Sequence, residues 1–185
     1  MRITAEQIEA VKEGTTFLYP TDTIWGLGCD ATNEAACQEI LKIKNRPEDK
    51  SFILLVDGFP MLEKYIPEFN EVCYDLADLA DKPLTIIYPN AKDLAPSVIA
   101  ADGSVGIRIT TDPLCLNIIR TLKKPIVSTS ANLSGQPSPT DFNSISKEIK
   151  DKVGMIFEHR ITERMEKSSQ IIKVGLKGEI SILRK

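Results

Sequence analysis

The run Phe52-Ile53-Leu54-Leu55-Val56 is apolar at every position. A strand that meets water on one face alternates apolar with polar residues, so an unbroken run predicts a strand whose sheet is covered on both sides. Helices are the usual cover, which points to an α/β chain. Glu34 to Lys44 fits that role, with Cys37, Ile40 and Leu41 at helical spacing.

The same reading extends along the chain. Thr15 to Tyr19 and Leu84 to Tyr88 are predicted strands, and Val72 to Ala80 a helix through Val72, Leu76, Leu79 and Ala80, ended by Asp81-Lys82-Pro83. From Ser104 to Ile109, Val105, Ile107 and Ile109 share one face, which puts Arg108 on the other. Asp112-Pro113 is a helix start, a capping carboxylate followed by proline, and the helix turns Cys115, Ile118, Ile119 and Leu122 inward. Ile126 to Ser128 is a brief strand, Thr140 or Asp141 to Lys152 a helix, and Met155 to Phe157 a strand. Gln170 to Val174 and Glu179 to Leu183, around Gly175 and Gly178, read as a hairpin, so the sheet is expected to be mixed.

At 185 residues, with no repeat and no Gly/Ser linker, one domain over 1–185 is expected. A chain of this length buries roughly 70% of its unfolded surface and needs no staples. Hydrophobic content is 42% and charged content 26%, and no apolar run approaches the roughly 18 to 20 residues that span a bilayer. The N-terminus lacks the apolar core of a signal peptide, so the expected location is cytoplasmic, with no membrane partner. Cys29, Cys37, Cys73 and Cys115 are scattered, without a Cys-x-x-Cys pair, and His159 is the single histidine, so no metal site is expected. A net charge of -3 argues against broad coating of nucleic acid, while leaving room for a local basic patch.

Two polar blocks interrupt these core-like segments. Lys44-Asn45-Arg46 ends the first helix, where cations favour the helix dipole, and Arg46 and Lys50 flank a turn that enters the buried strand. Ser128-Thr129-Ser130-Ala131-Asn132 ends a strand with small polar groups, and Ser134 to Ser138 continues it. Cations facing small hydroxyls are suited to a phosphorylated ligand, although an elaborate turn would use the second block's residues equally well. Phe17 to Gly28 passes from strand into a loop of hydroxyls and glycines, read either as a ligand loop or as a capped turn over a buried Trp25.

Tyr19-Pro20-Thr21-Asp22-Thr23-Ile24-Trp25-Gly26-Leu27-Gly28, Lys44-Asn45-Arg46-Pro47, Val105-Gly106-Ile107-Arg108 and Ser130-Ala131-Asn132-Leu133-Ser134-Gly135-Gln136-Pro137-Ser138 together resemble the YrdC-type L-threonylcarbamoyladenylate synthases. The resemblance covers most of Thr15 to Thr140, with an echo at Ser168-Ser169-Gln170 and Leu183-Arg184. It implies a twisted mixed α/β sheet flanked by helices around a large concave cavity. It also implies a nucleotidyltransferase that makes threonylcarbamoyl-AMP and pyrophosphate from L-threonine, bicarbonate and ATP. The product would pass to tRNA-modifying threonylcarbamoyl transferase proteins.

By the same resemblance, Lys44 and Arg46 are the catalytic cations, and Lys44, Arg46, Lys50, Ser104, Ser130, Asn132, Ser138 and Arg184 hold ATP. Thr23, Arg108, Ser128 and Ser169 hold threonine, and Mg2+ arrives with the triphosphate. Leu55 stands where many members carry a histidine. An RNA-binding module on the same scaffold, with weak RNA binding and no chemistry, and a carbamoyl-transfer domain with another acceptor are the alternatives.

Overall fold

The computed structural model describes residues 3–45, 52–165 and 168–185. Helix α1 (Ala5–Lys12) starts at Thr4, whose hydroxyl accepts from the Gln7 N–H while the Gln7 side chain accepts from Thr4 N, a reciprocal cap. Strands β1 (Phe17–Pro20) and β2 (Trp25–Gly28) then form an antiparallel pair. Helix α2 (Glu34–Lys44) is capped by Asn33 and stopped by Asn45, which turns left-handed at φ 48°. Strand β3 (Ile53–Val56), helices α3 (Phe59–Tyr65) and α4 (Val72–Asp78), strand β4 (Leu84–Tyr88), a 3-10 turn at Pro96–Val98 and strand β5 (Val105–Ile109) come next. Helix α5 (Pro113–Leu122), strand β6 (Ile126–Ser130), helix α6 (Lys147–Lys152) and strands β7 (Met155–Ile156), β8 (Gln170–Val174) and β9 (Ile180–Arg184) complete the described elements.

The strands form one sheet in the order β7-β1-β2-β6-β3-β5-β4-β8-β9. The pairs β1/β7, β3/β5 and β4/β8 are parallel and the others antiparallel, so the sheet is mixed, as the alternation predicts. Directly paired residues share a face. Ser128, Ile53, Gly106 and Ile87 make one cross-strand row, and Ile126, Leu55 and Arg108 the next row on that face. Leu54, Val56, Ile107 and Val127 point the opposite way, into a core with Cys37, Ile40 and Leu41 of α2.

The first face is covered only in part. Leu114, Cys115, Ile118 and Ile119 of α5, with Val11 of α1, pack over Phe17, Tyr19, Leu55 and Ile126. Beyond them the row of Ser128, Ile53, Gly106 and Ile87 lines an open cavity. Asp112 starts α5 as its sequence predicts, accepting from Leu114 N at 2.9 Å and Cys115 N at 3.0 Å.

Three expectations are corrected. Trp25 to Gly28 is a strand rather than a loop, because the rings of Tyr19 and Phe17 fill the space above Gly26 and Gly28. A Cβ on Gly28 would lie 2.6 Å from the Val127 carbonyl oxygen, so close pairing demands glycine there. The helix expected from Thr140 or Asp141 is confined to Lys147–Lys152. Upstream, the Ser144 hydroxyl accepts from both Thr140 N and Asp141 N, and Asp141 Oδ1 accepts from Ser144 N, local bonds that compete with a helical ladder. Helix α4 ends at Asp78, which leaves Leu79 82% exposed instead of turned inward.

Candidate active site

The cavity measures about 310 Å³, near the lower end of the roughly 300–1,000 Å³ typical of small-molecule sites. Its floor is the uncovered sheet face: Ile53, Gly106, Thr85, Ile87 and Ile171. Gly106 keeps that floor low, since a Cβ there would sit 3.4 Å from the Thr85 methyl and 3.7 Å from Ile53 and would rise into the cavity. Around the floor stand Thr23, Ser128, Ser130, Ser138 and Ser169, with the guanidinium groups of Arg108 and Arg184. No carboxylate lines the cavity among the described residues. Two cations with hydroxyl donors and no competing anion make a site for anionic ligands.

Each cation is held from behind. Arg108 is 3% exposed, and its Nη2 donates to Asp22 Oδ1 at 3.0 Å and to Thr23 Oγ1 at 3.4 Å. Its Nε is buried and has no hydrogen-bond partner among the described residues. Thr23 sits in a turn built on Thr21, whose Oγ accepts from Thr23 N at 3.0 Å and Ile24 N at 3.2 Å. Arg160 braces the same turn: its guanidinium donates to the carbonyls of Pro20 and Thr21 and, at 2.6 Å, to Asp112 at the start of α5.

On the opposite wall Arg184 donates through Nε to the Ser169 carbonyl at 2.8 Å and through Nη2 to the Ser169 hydroxyl at 3.1 Å. The Ser169 hydroxyl also meets that of Thr85 at 2.8 Å. Burial first, and the nearby charge of Arg108 second, pull the Arg184 pKa down. An arginine still stays protonated at neutral pH, so the repulsion between the two cations favours any anion that enters between them.

The residues assigned to threonine by resemblance, Thr23, Arg108, Ser128 and Ser169, all line this cavity. Of those assigned to ATP, Ser130, Ser138 and Arg184 line it as well. Lys44, Ser104 and Asn132 do not. Lys44 is 2% exposed, and its ammonium donates to the carbonyls of Ser130 and Asn132, the latter at 2.6 Å. The Lys44 carbonyl accepts from Ser134 N at 2.8 Å, so helix α2 and the 130–134 loop are joined at this residue. The Ser104 hydroxyl donates to Asp102, and Asn132 spans its own loop through Nδ2 to the carbonyls of Leu133 and Gln136. The Asn132 Oδ1 is buried without a hydrogen-bond partner among the described residues. Arg46 and Lys50 lie outside the described residues.

Leu55, which the resemblance sets where many members carry a histidine, lies on β3 paired with Arg108 of β5, is fully buried beneath α5 and presents no polar group to a ligand. Asp22, Thr85 and Gly106 were missed as site residues. Thr85 carries a legible signal, a lone hydroxyl within the apolar strand Leu84 to Tyr88, and Gly106 another, a glycine inside a strand. Asp22 carries none, because an aspartate between two threonines in a turn reads as an ordinary turn residue.

Among the described residues, no group of three or more His, Cys, Asp or Glu side chains is placed to hold a metal ion, and no helix is long and apolar enough to cross a membrane.

The family model Sua5/YciO/YrdC, described as telomere recombination, matches residues 9–185. A threonylcarbamoyl-AMP synthase of Pseudoalteromonas translucida is 29% identical over 179 residues, 95% of this chain and 95% of that protein. A threonylcarbamoyl-AMP synthase of Vibrio parahaemolyticus is 31% identical over 178 residues, covering 91% of this chain and 96% of its own. The crystal structure of P. abyssi Sua5 complexed with L-threonine superposes with a TM-score of 0.84 at 27% identity, over 100% of this chain and 55% of that one. The chain therefore spans about half the length of that Sua5 protein.

Proposed function

This chain belongs to the Sua5/YciO/YrdC family, and on that premise we propose that it is an L-threonylcarbamoyladenylate synthase acting as one domain over 1–185. The observation that carries the proposal is the convergence of Arg108, Arg184 and the hydroxyls of Thr23, Ser128, Ser130, Ser138 and Ser169 on one cavity with no carboxylate in its lining among the described residues. A relative of the same fold is known with L-threonine bound.

In this reading the planar fork of Arg108 takes the threonine carboxylate, with the hydroxyls of Thr23, Ser128 and Ser169 around it. The neutral amine attacks the carbon of bicarbonate, and loss of water leaves a carbamate. A carbamate oxygen then attacks the α-phosphorus of ATP, the bond to the β-phosphate oxygen breaks, and pyrophosphate leaves with threonylcarbamoyl-AMP remaining. Charge builds on phosphate oxygens in that step, so fixed cations and hydroxyl donors suffice and no enzyme nucleophile is needed. Arg184, Ser130 and Ser138 serve the nucleotide from the cavity wall, with Arg46 and Lys50 completing the phosphate contacts. Lys44 and Asn132 hold the loop that presents Ser130, and Ser104 is assigned to the nucleotide by the family resemblance.

Magnesium would arrive with the triphosphate and be held by phosphate and water, since the cavity lining offers cations and hydroxyls rather than carboxylates among the described residues. The product is a reactive mixed anhydride, which in the cytoplasm passes to a tRNA-modifying threonylcarbamoyl transferase. The test is mass detection of threonylcarbamoyl-AMP from ATP, L-threonine and bicarbonate, with pyrophosphate release dependent on all three. Release that is indifferent to threonine sinks the proposal. Arg108→Ala should raise the KM for threonine and Arg46→Ala the KM for ATP; equal loss of both constants in both variants would refute the division of roles.

A further inference from the structure

We infer that Asp22 is the positioning residue for Arg108: its carboxylate grips one edge of the guanidinium from outside the cavity and sets the remaining donors for the substrate carboxylate. The inference rests on the threonine-binding reading above. Arg108 is buried, and Asp22 is the carboxylate that meets it, at 3.0 Å, with a side chain 19% exposed. A buried cation without a partner is costly, and a long flexible side chain without an anchor samples several rotamers. Asp22 answers both needs. It stands in a turn fixed by the Thr21 hydroxyl and by the Arg160 guanidinium, so its carboxylate has a defined place.

Two roles for Asp22 are physically distinct. As a competitor it would occupy the donors that the substrate needs, and its removal would strengthen threonine binding. As an anchor it would hold the guanidinium in register, and its removal would weaken binding. Geometry decides between them. Asp22 lines two other recesses, one with Arg160 and Arg164 and one with Leu84 and Ile109, but not the cavity itself. Both the Asp22 and Thr23 contacts fall on Nη2, while Nε is buried and has no partner among the described residues. The carboxylate therefore reaches Arg108 from outside the cavity that the ligand would enter, and the anchor role follows.

The experiment is calorimetric titration of the full chain with L-threonine and, separately, with ATP. Asp22→Ala should weaken threonine binding about 10-fold or more, as expected for a lost charged hydrogen bond, and leave ATP binding within about 2-fold. Asp22→Asn should lose less, because its amide oxygen still accepts from Nη2. On an Arg108→Lys background Asp22→Ala should add little, since the fork it positions is gone. Unchanged or tighter threonine binding by Asp22→Ala, or an equal loss for ATP, overturns the inference. Wild-type protein that binds no threonine overturns the functional reading itself, and this inference with it; wild-type binding with an indifferent Asp22→Ala overturns the inference alone.

Discussion

Arg184 and Ser169 are joined twice, by a 2.8 Å bond from Nε to the Ser169 carbonyl and a 3.1 Å bond from Nη2 to its hydroxyl. The pair ties the edge strand β9 to the segment entering β8 and orients one cavity hydroxyl. Arg184→Ala should raise the KM for threonine about 10-fold, because Ser169 loses both contacts, and should also weaken nucleotide use. Steady-state kinetics with each substrate varied in turn would check it. An unchanged KM for threonine would show that Thr85 alone suffices to hold Ser169.

Lys44 donates to the carbonyls of Ser130 and Asn132 from a fully buried position. Lys44→Met keeps the apolar stem and leaves those acceptors without their ammonium, so a loss of about 2 to 4 kcal/mol in stability is expected. Urea unfolding reads the stability, and adenylate formation at a temperature where the variant stays folded reads the loss of loop placement.

Gly28 and Gly106 are both strand glycines with opposite expected responses to alanine. A Cβ on Gly28 would meet the Val127 oxygen at 2.6 Å and the rings of Tyr19 and Phe17 at 2.8 and 2.9 Å, so Gly28→Ala should cost about 2 kcal/mol or more. On Gly106 the nearest approach is 3.4 Å, an ordinary contact. Gly106→Ala should fold normally and instead weaken ligand binding by filling the cavity floor. Thermal unfolding and threonine titration on both variants separate the two outcomes.

Hydrogen bonds from Lys173, whose ammonium lies 2.8 Å away, and from Ser104 hold the Asp102 carboxyl well below the usual carboxylate range. A carboxyl with a depressed pKa contributes stability that is present above its unfolded value of about 3.9 and is lost as pH falls toward the folded value. Asp102 is 55% exposed, so solvent screening keeps the contribution below about 1 kcal/mol. The stability gap between wild type and Asp102→Asn should therefore narrow below about pH 4. Urea midpoints at neutral and acid pH would measure it, and a gap independent of pH would refute the ion-pair account.

What the sequence determined by itself is what local chemistry determines. The apolar run through Val56 and the proline-started α5 depend on neighbours a few residues away, so their periodicity and cap are legible in one dimension. The ordered motifs likewise made the family and most of the cavity hydroxyls readable. Tertiary structure alone decided the rest. Trp25 to Gly28 became a strand because aromatic rings from β1 replace the side chains that its glycines lack. Lys44 faces two loop carbonyls rather than the cavity because helix α2 ends against residues about ninety positions away in the chain. Asp22 joins the site because sheet register sets Arg108 beside the turn that carries it. Such pairings come from packing between distant segments, and no spacing along the chain encodes them.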